Sequence, residues 1–193
     1  FVHESISERF IAKFLEHART IKVGIGSDPG VDMGPLGSKK RISAMHEMIA
    51  DAKSKGAEVA LGGSASEEFS KGYFFQPTVL TNVKSDMVVM TEETFGPVAP
   101  IATFSNLEEV IQMANSTPYG LAGFIFTSDL NSALQIGLRL EVGMVGINNL
   151  TIATAEAPFG GVKSSGFGRE GGAEGIEEFL ITKYINARMG RVK

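Results

Sequence analysis

The sequence predicts an α/β fold with a mostly parallel sheet flanked by helices. Segments whose apolar residues recur at helical spacing alternate with short, continuous apolar runs, which are typical of strands buried on both faces. The chain has 193 residues, of which 43% are hydrophobic and 21% charged, as in an ordinary globular domain. We find no internal repeat and no linker long enough to divide two domains.

Two helices are predicted in the first third of the chain. Ser5 and Glu8 match a capping box, and the apolar residues that follow at helical spacing are Ile6, Phe10, Phe14, Ala18 and Ile21. After a turn-rich stretch, a second helix is expected to begin near Ser38 and to end at Gly56. Its predicted apolar face consists of Ile42, Met45, Ile49 and Ala52.

The middle of the chain continues the alternation. EVALGG (58–63) is predicted to be a short strand, and DMVVM (86–90) is also strand-like. Ser105 and Glu108 form another possible capping box, which predicts a helix carrying Leu107, Val110, Ile111 and Ala114.

The last third resembles a strand–helix–strand unit. The apolar runs LAGFIF (121–126) and VGMVGI (142–147) flank a predicted helix around Ser132 to Leu140. The tail segment KYINAR (183–188) is predicted to be the last strand.

Composition argues against several classes of function. The net charge of -4 is spread along the chain without a basic stripe, which argues against binding to nucleic acid or an anionic membrane surface. No apolar run approaches the ~20 residues that span a bilayer, and we expect a cytoplasmic protein. The chain has no cysteine, and its three histidines, His3, His17 and His46, are scattered, so neither a disulfide framework nor a metal site is expected.

The segment GFGREG (166–171) matches the glycine spacing of a dinucleotide-binding loop. Such a loop requires a buried strand before it and a helix opening on its last glycine, whereas PFGGVKSS precedes it here. We therefore expect these glycines to let the backbone turn tightly and pass close to a neighbouring element. A small freestanding nucleotide-binding protein that uses this segment remains an alternative.

The segment EETFGP (92–97) is a better candidate for a functional loop. Its two adjacent carboxylates, aromatic residue and Gly-Pro turn lie between DMVVM and the apolar run from Val98, where an open α/β sheet commonly places ligand groups. The residues alone favour a simpler interpretation, a solvated acidic pair beside a packing phenylalanine.

Five segments together resemble the aldehyde dehydrogenase superfamily. They are GPLGSKK from Gly34, GYFFQPTVL from Gly72, EETFGPVAP from Glu92, STPYGLAGFIFTSD from Ser116 and PFGGVKSSGFGREGG from Pro158. The chain is similar to the C-terminal part of the catalytic domain over essentially all of residues 1–193, with a C-terminal oligomerisation strand near 182–188. The resemblance implies that the cofactor domain, the nucleophilic cysteine and the general-base glutamate lie upstream of Phe1, so the chain alone is expected to be inactive.

The resemblance assigns residues to two sites. Glu93 is expected to accept hydrogen bonds from the nicotinamide ribose of NAD or NADP, and Phe95 to pack beside the nicotinamide. Phe159 is expected to line the path of the aldehyde, although the residues alone favour a core aromatic. Lys163 and Arg169 are expected to make structural contacts with backbone carbonyls or a carboxylate.

The C-terminal segment from Ala155 is most similar to the succinate-semialdehyde dehydrogenase group of this family. In that group a serine that helps to hold the distal carboxylate precedes the phenylalanine motif, whereas this chain has Ala153 there, and Thr151 or Thr154 could substitute. The implied reaction is oxidation of an aldehyde, most simply succinate semialdehyde, to an acid by a homo-oligomeric enzyme. A non-catalytic binding or structural protein with the same fold is the alternative.

Overall fold

The computed structural model describes residues 1–190 and divides the chain into two compact units, Phe1–Thr117 and Pro118–Lys193. The sequence did not predict this division, because no linker marks the boundary at Thr117. Each unit combines helices with parallel strand pairs, so the predicted α/β class is confirmed.

The first unit contains two small sheets and four helices. The elements of this unit are β1 (Val2–His3), a 3-10 turn (Glu4–Ile6), α1 (Ser7–Ala18), α2 (Lys39–Ser54), β2 (Glu58–Leu61), β3 (Thr78–Thr81), α3 (Val88–Thr91), β4 (Val98–Pro100), β5 (Thr103–Phe104) and α4 (Leu107–Asn115). Strand β3 lies between β2, which is antiparallel to it, and β4, which is parallel to it, while β1 pairs in parallel with β5.

Helix α2 forms as the sequence predicts and supplies much of the core. The Ser38 hydroxyl accepts a hydrogen bond from the Arg41 amide at 3.4 Å, and Gly56 follows the helix with a φ of +98°. The predicted apolar face is confirmed as the side packed against the core, where the fully buried side chains of this unit include Met45, Phe75, Leu80 and Met87. Deleting one of these long side chains removes about 2–5 kcal/mol of stability.

Both predicted capping boxes are wrong. The 3-10 turn before α1 is capped by His3, whose Nδ1 accepts from the Ser5 amide at 3.3 Å, and no side chain caps α1 itself. Helix α4 is capped by Asn106, whose side-chain oxygen accepts from the amides of Glu108 and Glu109 at 2.8 and 3.3 Å. An Asn at the N-cap satisfies two otherwise unpaired amides, so the helix starts one residue later than expected.

DMVVM is not a strand. Val88–Thr91 forms the single-turn helix α3, and the Asp51 carboxylate of α2 accepts a hydrogen bond of 2.8 Å from the Val88 amide. A carboxylate on the first amide of a turn satisfies a donor that a strand partner would otherwise have to pair. The contact with α2 therefore overrides the strand preference of two consecutive valines.

The second unit contains a strand–helix–strand unit, as predicted. The elements of this unit are β6 (Tyr119–Gly120), β7 (Ala122–Ile125), α5 (Leu130–Arg139), β8 (Met144–Ile147), β9 (Val162–Lys163) and a 3-10 helix (Glu174–Phe179). Strands β7 and β8 pair in parallel through four residues each, and α5 connects them. Strand β6 pairs antiparallel with β9.

Burial of the strands differs from the prediction in part. All four residues of β3 are buried, which fits a strand covered on both faces. In β7, however, Phe124 is 43% exposed while Ile125 is buried, so one face of this strand is open in the isolated chain.

The tail segment 182–188 forms no strand within the described part of the chain, and its residues are exposed. Because the expected pairing joins it to another chain, its role as an oligomerisation strand stays a prediction. Between residues 1 and 190, no helix has the length and apolar character that crossing a membrane would require.

Candidate cofactor and substrate sites

The segment Glu92–Pro97 is a loop that joins α3 to β4 and presents two of the predicted site residues. Glu93 is exposed, and the ring of Phe95 is 74% exposed. The loop enters β4 at its amino end, where the Thr78 amide donates to the Pro97 carbonyl at 2.8 Å. The expectation that this loop follows a strand is therefore wrong, because Val88–Thr91 is a helical turn.

Arg41 of α2 holds the main chain of this loop. Its Nη2 donates to the Glu93 carbonyl at 3.4 Å and also to the Thr94 carbonyl. Its Nε is buried and has no hydrogen-bond partner among residues 1–190. The guanidinium therefore faces the backbone of the loop and leaves the Glu93 carboxylate uncovered.

Asp51 of α2 and Lys55, the residue that follows this helix, hold the part of the chain just before the loop. They form an ion pair of 2.9 Å, and the Lys55 Nζ donates to the Asp86 carbonyl at 2.6 Å. Hydrogen bonds from Lys55 and from the Val88 amide lower the pKa of the Asp51 carboxyl. Helix α2 thus contacts both ends of the stretch from Asp86 to Thr94.

The backbone of the loop is constrained where it passes Phe95 and Gly96. Phe95 has a φ of +39°, a left-handed conformation that costs a non-glycine residue about 1–3 kcal/mol. A Cβ added to Gly96 would lie 2.5 Å from Sδ of Met45, so a larger residue there would require the buried Met45 side chain to move. This close approach and the Arg41 contacts hold the strained conformation of the loop.

The exposed groups of the loop offer a hydrogen-bond acceptor and an apolar surface to a ligand. A carboxylate is an acceptor with two oxygens, so Glu93 can take hydrogen bonds from two neighbouring hydroxyl groups. Two residues further on, the open ring of Phe95 offers an apolar surface to a planar group. The two side chains lie on one short segment, as the sequence predicts, and the loop contains no cysteine.

The predicted substrate residues lie in the second unit. Phe159 is half-buried and exchanges two backbone hydrogen bonds with Glu170, at 2.7 and 2.8 Å. Ala153 is exposed and offers no side-chain hydrogen bond. Of the two possible substitutes, Thr151 is held through its backbone by the side chain of Asn149. The Asn149 Oδ1 accepts from the Thr151 amide at 2.9 Å, and the Asn149 Nδ2 donates to the Thr151 carbonyl at 3.2 Å.

The two cations of this region make the structural contacts that the sequence predicts. Arg169 donates through Nη1 to the carbonyls of Gly161 and Gly168, at 3.0 and 2.6 Å. Lys163 pairs with Glu141 at 2.6 Å. Neither side chain is therefore a candidate for chemistry.

GFGREG forms a turning loop, as expected. Gly166, Gly168 and Gly171 have φ values of +112°, +82° and +70°. A Cβ on Gly171 would lie 2.9 Å from the Ala157 carbonyl oxygen, so this glycine permits a close backbone approach. Only a 3-10 helix of six residues follows, which is unlike the helix that opens a dinucleotide site.

Sequence reasoning missed Arg41, Asp51 and Lys55. Their partners lie between 31 and 53 residues further along the chain, so no local pattern joins them. Within residues 1–190, no group of three or more His, Cys, Asp or Glu side chains could hold a metal ion.

The chain is similar to known enzymes over almost all of its length. The model of the aldehyde dehydrogenase family matches residues 1–185. An NADP-dependent succinate-semialdehyde dehydrogenase of Schizosaccharomyces pombe is 44% identical over 97% of this chain, and a 3-sulfolactaldehyde dehydrogenase of Pseudomonas putida is 44% identical over 96%. The chain spans 38% of the length of each of these relatives.

Solved structures agree with the fold. The crystal structure of betaine aldehyde dehydrogenase from Staphylococcus aureus in complex with NAD+ superposes with a TM-score of 0.90 at 38% identity, covering 98% of this chain and 39% of that one. The chain belongs to the aldehyde dehydrogenase family.

Proposed function

We propose that this chain is the C-terminal part of the catalytic domain of an NAD(P)-dependent aldehyde dehydrogenase. The observation that carries the proposal is the loop Glu92–Pro97, which presents an uncovered carboxylate and an open aromatic ring while Arg41 holds its main chain. Packing alone does not require either exposed side chain. A non-catalytic protein with the same fold would not need to keep them.

The proposed reaction converts an aldehyde and water into a carboxylic acid. When bound, NAD or NADP supplies the hydride acceptor. Glu93 accepts hydrogen bonds from the ribose hydroxyls, and Phe95 limits sideways movement of the ring, so that the distance for hydride transfer is fixed. Because the chain has no cysteine, the nucleophile and its base come from residues outside it.

We propose that the substrate is a small aldehyde with an anionic group at its far end, with succinate semialdehyde as the first candidate. Two relatives of equal identity act, by name, on succinate semialdehyde and on 3-sulfolactaldehyde, and both aldehydes carry such a group. Ala153 lacks the hydroxyl expected for the carboxylate substrate, which favours keeping the sulfonate as a second candidate. Phe159 is proposed to line the approach of either aldehyde.

Assays of the full-length protein test both the proposed reaction and the proposed substrate class. Cofactor reduction is measured with succinate semialdehyde, with 3-sulfolactaldehyde and with betaine aldehyde, which carries a cation instead, using NAD and NADP in parallel. We expect kcat/KM to be higher for an anionic aldehyde than for the cationic one. Turnover of none of the three would favour the non-catalytic alternative, and preference for the cation would contradict the substrate class.

Reading the coding sequence upstream of Phe1 provides a second test. A cysteine within about fifteen codons, on a loop with the expected nucleophile motif, would support the proposal, whereas a start codon there would contradict it. The chain alone is expected to give no NADH above a blank, since it has no thiol nucleophile. The cytoplasmic location and the homo-oligomeric assembly are further parts of this proposal, to be checked by cell fractionation and by sedimentation of the full-length protein.

A further inference from the structure

We infer that Arg41 is a positioning residue for the cofactor, acting through the main chain of the loop that carries Glu93 and Phe95. The inference rests on the proposed function, because it assumes that Glu93 contacts the nicotinamide ribose. It adds a residue from a different element, 52 positions before Glu93, that contacts the main chain of the loop.

The contacts of Arg41 explain why it can set the direction of the Glu93 side chain. Its Nη2 donates to the carbonyl of Glu93 itself and to that of Thr94, the two peptide groups on either side of the Thr94 Cα. Rotation of either peptide group would redirect the Cα–Cβ bonds of Glu93 and Phe95. A guanidinium that holds both carbonyls therefore restricts where the two exposed side chains point.

The second anchor of this segment cannot replace Arg41. Asp51 and Lys55 contact Val88 and Asp86, which precede Glu93 by five and seven residues. Glu92 lies between these anchored residues and the first Arg41 contact, which is at the Glu93 carbonyl, and both glutamates are exposed. Without Arg41, the part of the loop before Gly96 would be tied to α2 only at its far end.

Amide hydrogen exchange of the cofactor-free, full-length protein tests the positioning role without relying on activity. In Arg41→Ala we expect exchange in 92–97 to be faster by roughly tenfold or more, while residues 86–91, which Asp51 and Lys55 hold, keep the wild-type rate. The matched control is Lys40→Ala, an exposed cation on the same helix, for which no change is expected. Equal exchange in 92–97 for Arg41→Ala and wild type would overturn the inference.

Kinetics of the same variants separate positioning from general damage. Hydride transfer is measured in a single turnover per titrated active site, and we expect Arg41→Ala to slow it roughly ten- to hundredfold. Arg41→Lys should recover part of the rate, because an ammonium group can still donate to one carbonyl. An unchanged single-turnover rate in Arg41→Ala would also overturn the inference.

A double variant distinguishes failure of this inference from failure of the proposed function. If Arg41 acts through Glu93, then Arg41→Ala with Glu93→Gln should be only slightly slower than Glu93→Gln alone. Full additivity of the two effects would mean that Arg41 acts by another route and would overturn the inference. A Glu93→Gln variant with wild-type hydride transfer would instead contradict the cofactor assignment on which the inference rests.

Discussion

The Asp51 carboxylate accepts a hydrogen bond of 2.8 Å from the Val88 amide, 37 residues further along the chain. This contact converts a valine-rich segment into a helical turn and ties it to α2. The ion pair with Lys55, which also reaches the Asp86 carbonyl, completes the connection. Together with the contacts of Arg41, these contacts make α2 the element that positions the candidate cofactor loop.

The first prediction concerns the pH dependence of stability. Because the pKa of Asp51 is lowered in the folded state by Lys55 and the Val88 amide, ionised Asp51 stabilises the fold above the pKa of an unfolded aspartate, about 3.9. That contribution is lost as the pH falls through the lower pKa of the folded state. Asp51→Asn should therefore unfold at a lower temperature than wild type near pH 7, and the difference should shrink as the pH falls below about 4.

Thermal unfolding followed by circular dichroism between pH 3 and pH 7 measures this difference. The control is Asp28→Asn, an exposed aspartate in the turn-rich stretch before α2, which should match wild type throughout. A constant difference between Asp51→Asn and wild type at every pH would show that the charge of Asp51 contributes nothing.

The second prediction distinguishes the expected cap of α4 from the observed one. Asn106→Ala removes the side-chain acceptor for the amides of Glu108 and Glu109 and should lower the free energy of unfolding by about 1 kcal/mol. Ser105→Ala, at the position that the sequence suggested, should change it by no more than a few tenths of that amount. Urea unfolding at one fixed protein concentration measures both free energies. A larger loss of stability for Ser105→Ala than for Asn106→Ala would indicate that Ser105 caps the helix.

Local patterns account for what the sequence predicted correctly. Helix α2 has its cap, its apolar spacing and its terminal glycine within one continuous segment, so each feature follows from neighbouring residues. The error at DMVVM and the missed role of Arg41 both depend on contacts across tens of residues. Burial of Phe124 also depends on what covers its face of β7, which apolar character alone does not reveal.

Local sequence patterns were also insufficient to predict the candidate site. Glu93 and Phe95 were assigned through family resemblance, since an acidic pair beside a phenylalanine has no chemistry specific enough to identify a cofactor. The structure adds that the Glu93 carboxylate and the Phe95 ring are exposed, and that Phe95 has a left-handed backbone next to Gly96, which lies close to the Met45 side chain.

The third prediction tests Glu93 directly in the full-length protein. Glu93→Gln should slow hydride transfer more than it weakens overall cofactor binding, because most of the affinity is expected from the adenosine half of the cofactor. Loss of a charged acceptor costs about 1.5–3 kcal/mol, which corresponds to roughly a ten- to hundredfold slower step. Pre-steady-state absorbance gives the rate, and calorimetry gives the affinity.

Glu92 supplies the control for this experiment, since it is the adjacent exposed carboxylate on the same loop. Glu92→Gln should leave hydride transfer within about twofold of wild type, a change that corresponds to less than about 0.5 kcal/mol. If both variants slow the step equally, the effect comes from the charge of the loop and not from a contact made by Glu93.

The fourth prediction is that the isolated chain associates with itself. Ile6, Phe10 and Phe14, at one end of the chain, are 37–44% exposed, and the tail residues Tyr184 and Ile185 are 84% and 78% exposed. The apolar face of α2 is buried within the first unit, so it does not contribute. Exposed apolar surface favours contact with a second chain, and so does a tail that pairs with no strand among residues 1–190.

Sedimentation equilibrium near neutral pH across the micromolar range measures this association, and a single species at the 20.6 kDa monomer mass would contradict it. Ile185→Lys places a charge in the predicted pairing strand and should weaken association, whereas Lys183→Arg keeps the charge two residues away and should not. If Ile185→Lys leaves the association constant unchanged while Phe10→Ser lowers it, the contact is made by α1 and the tail is not the pairing strand.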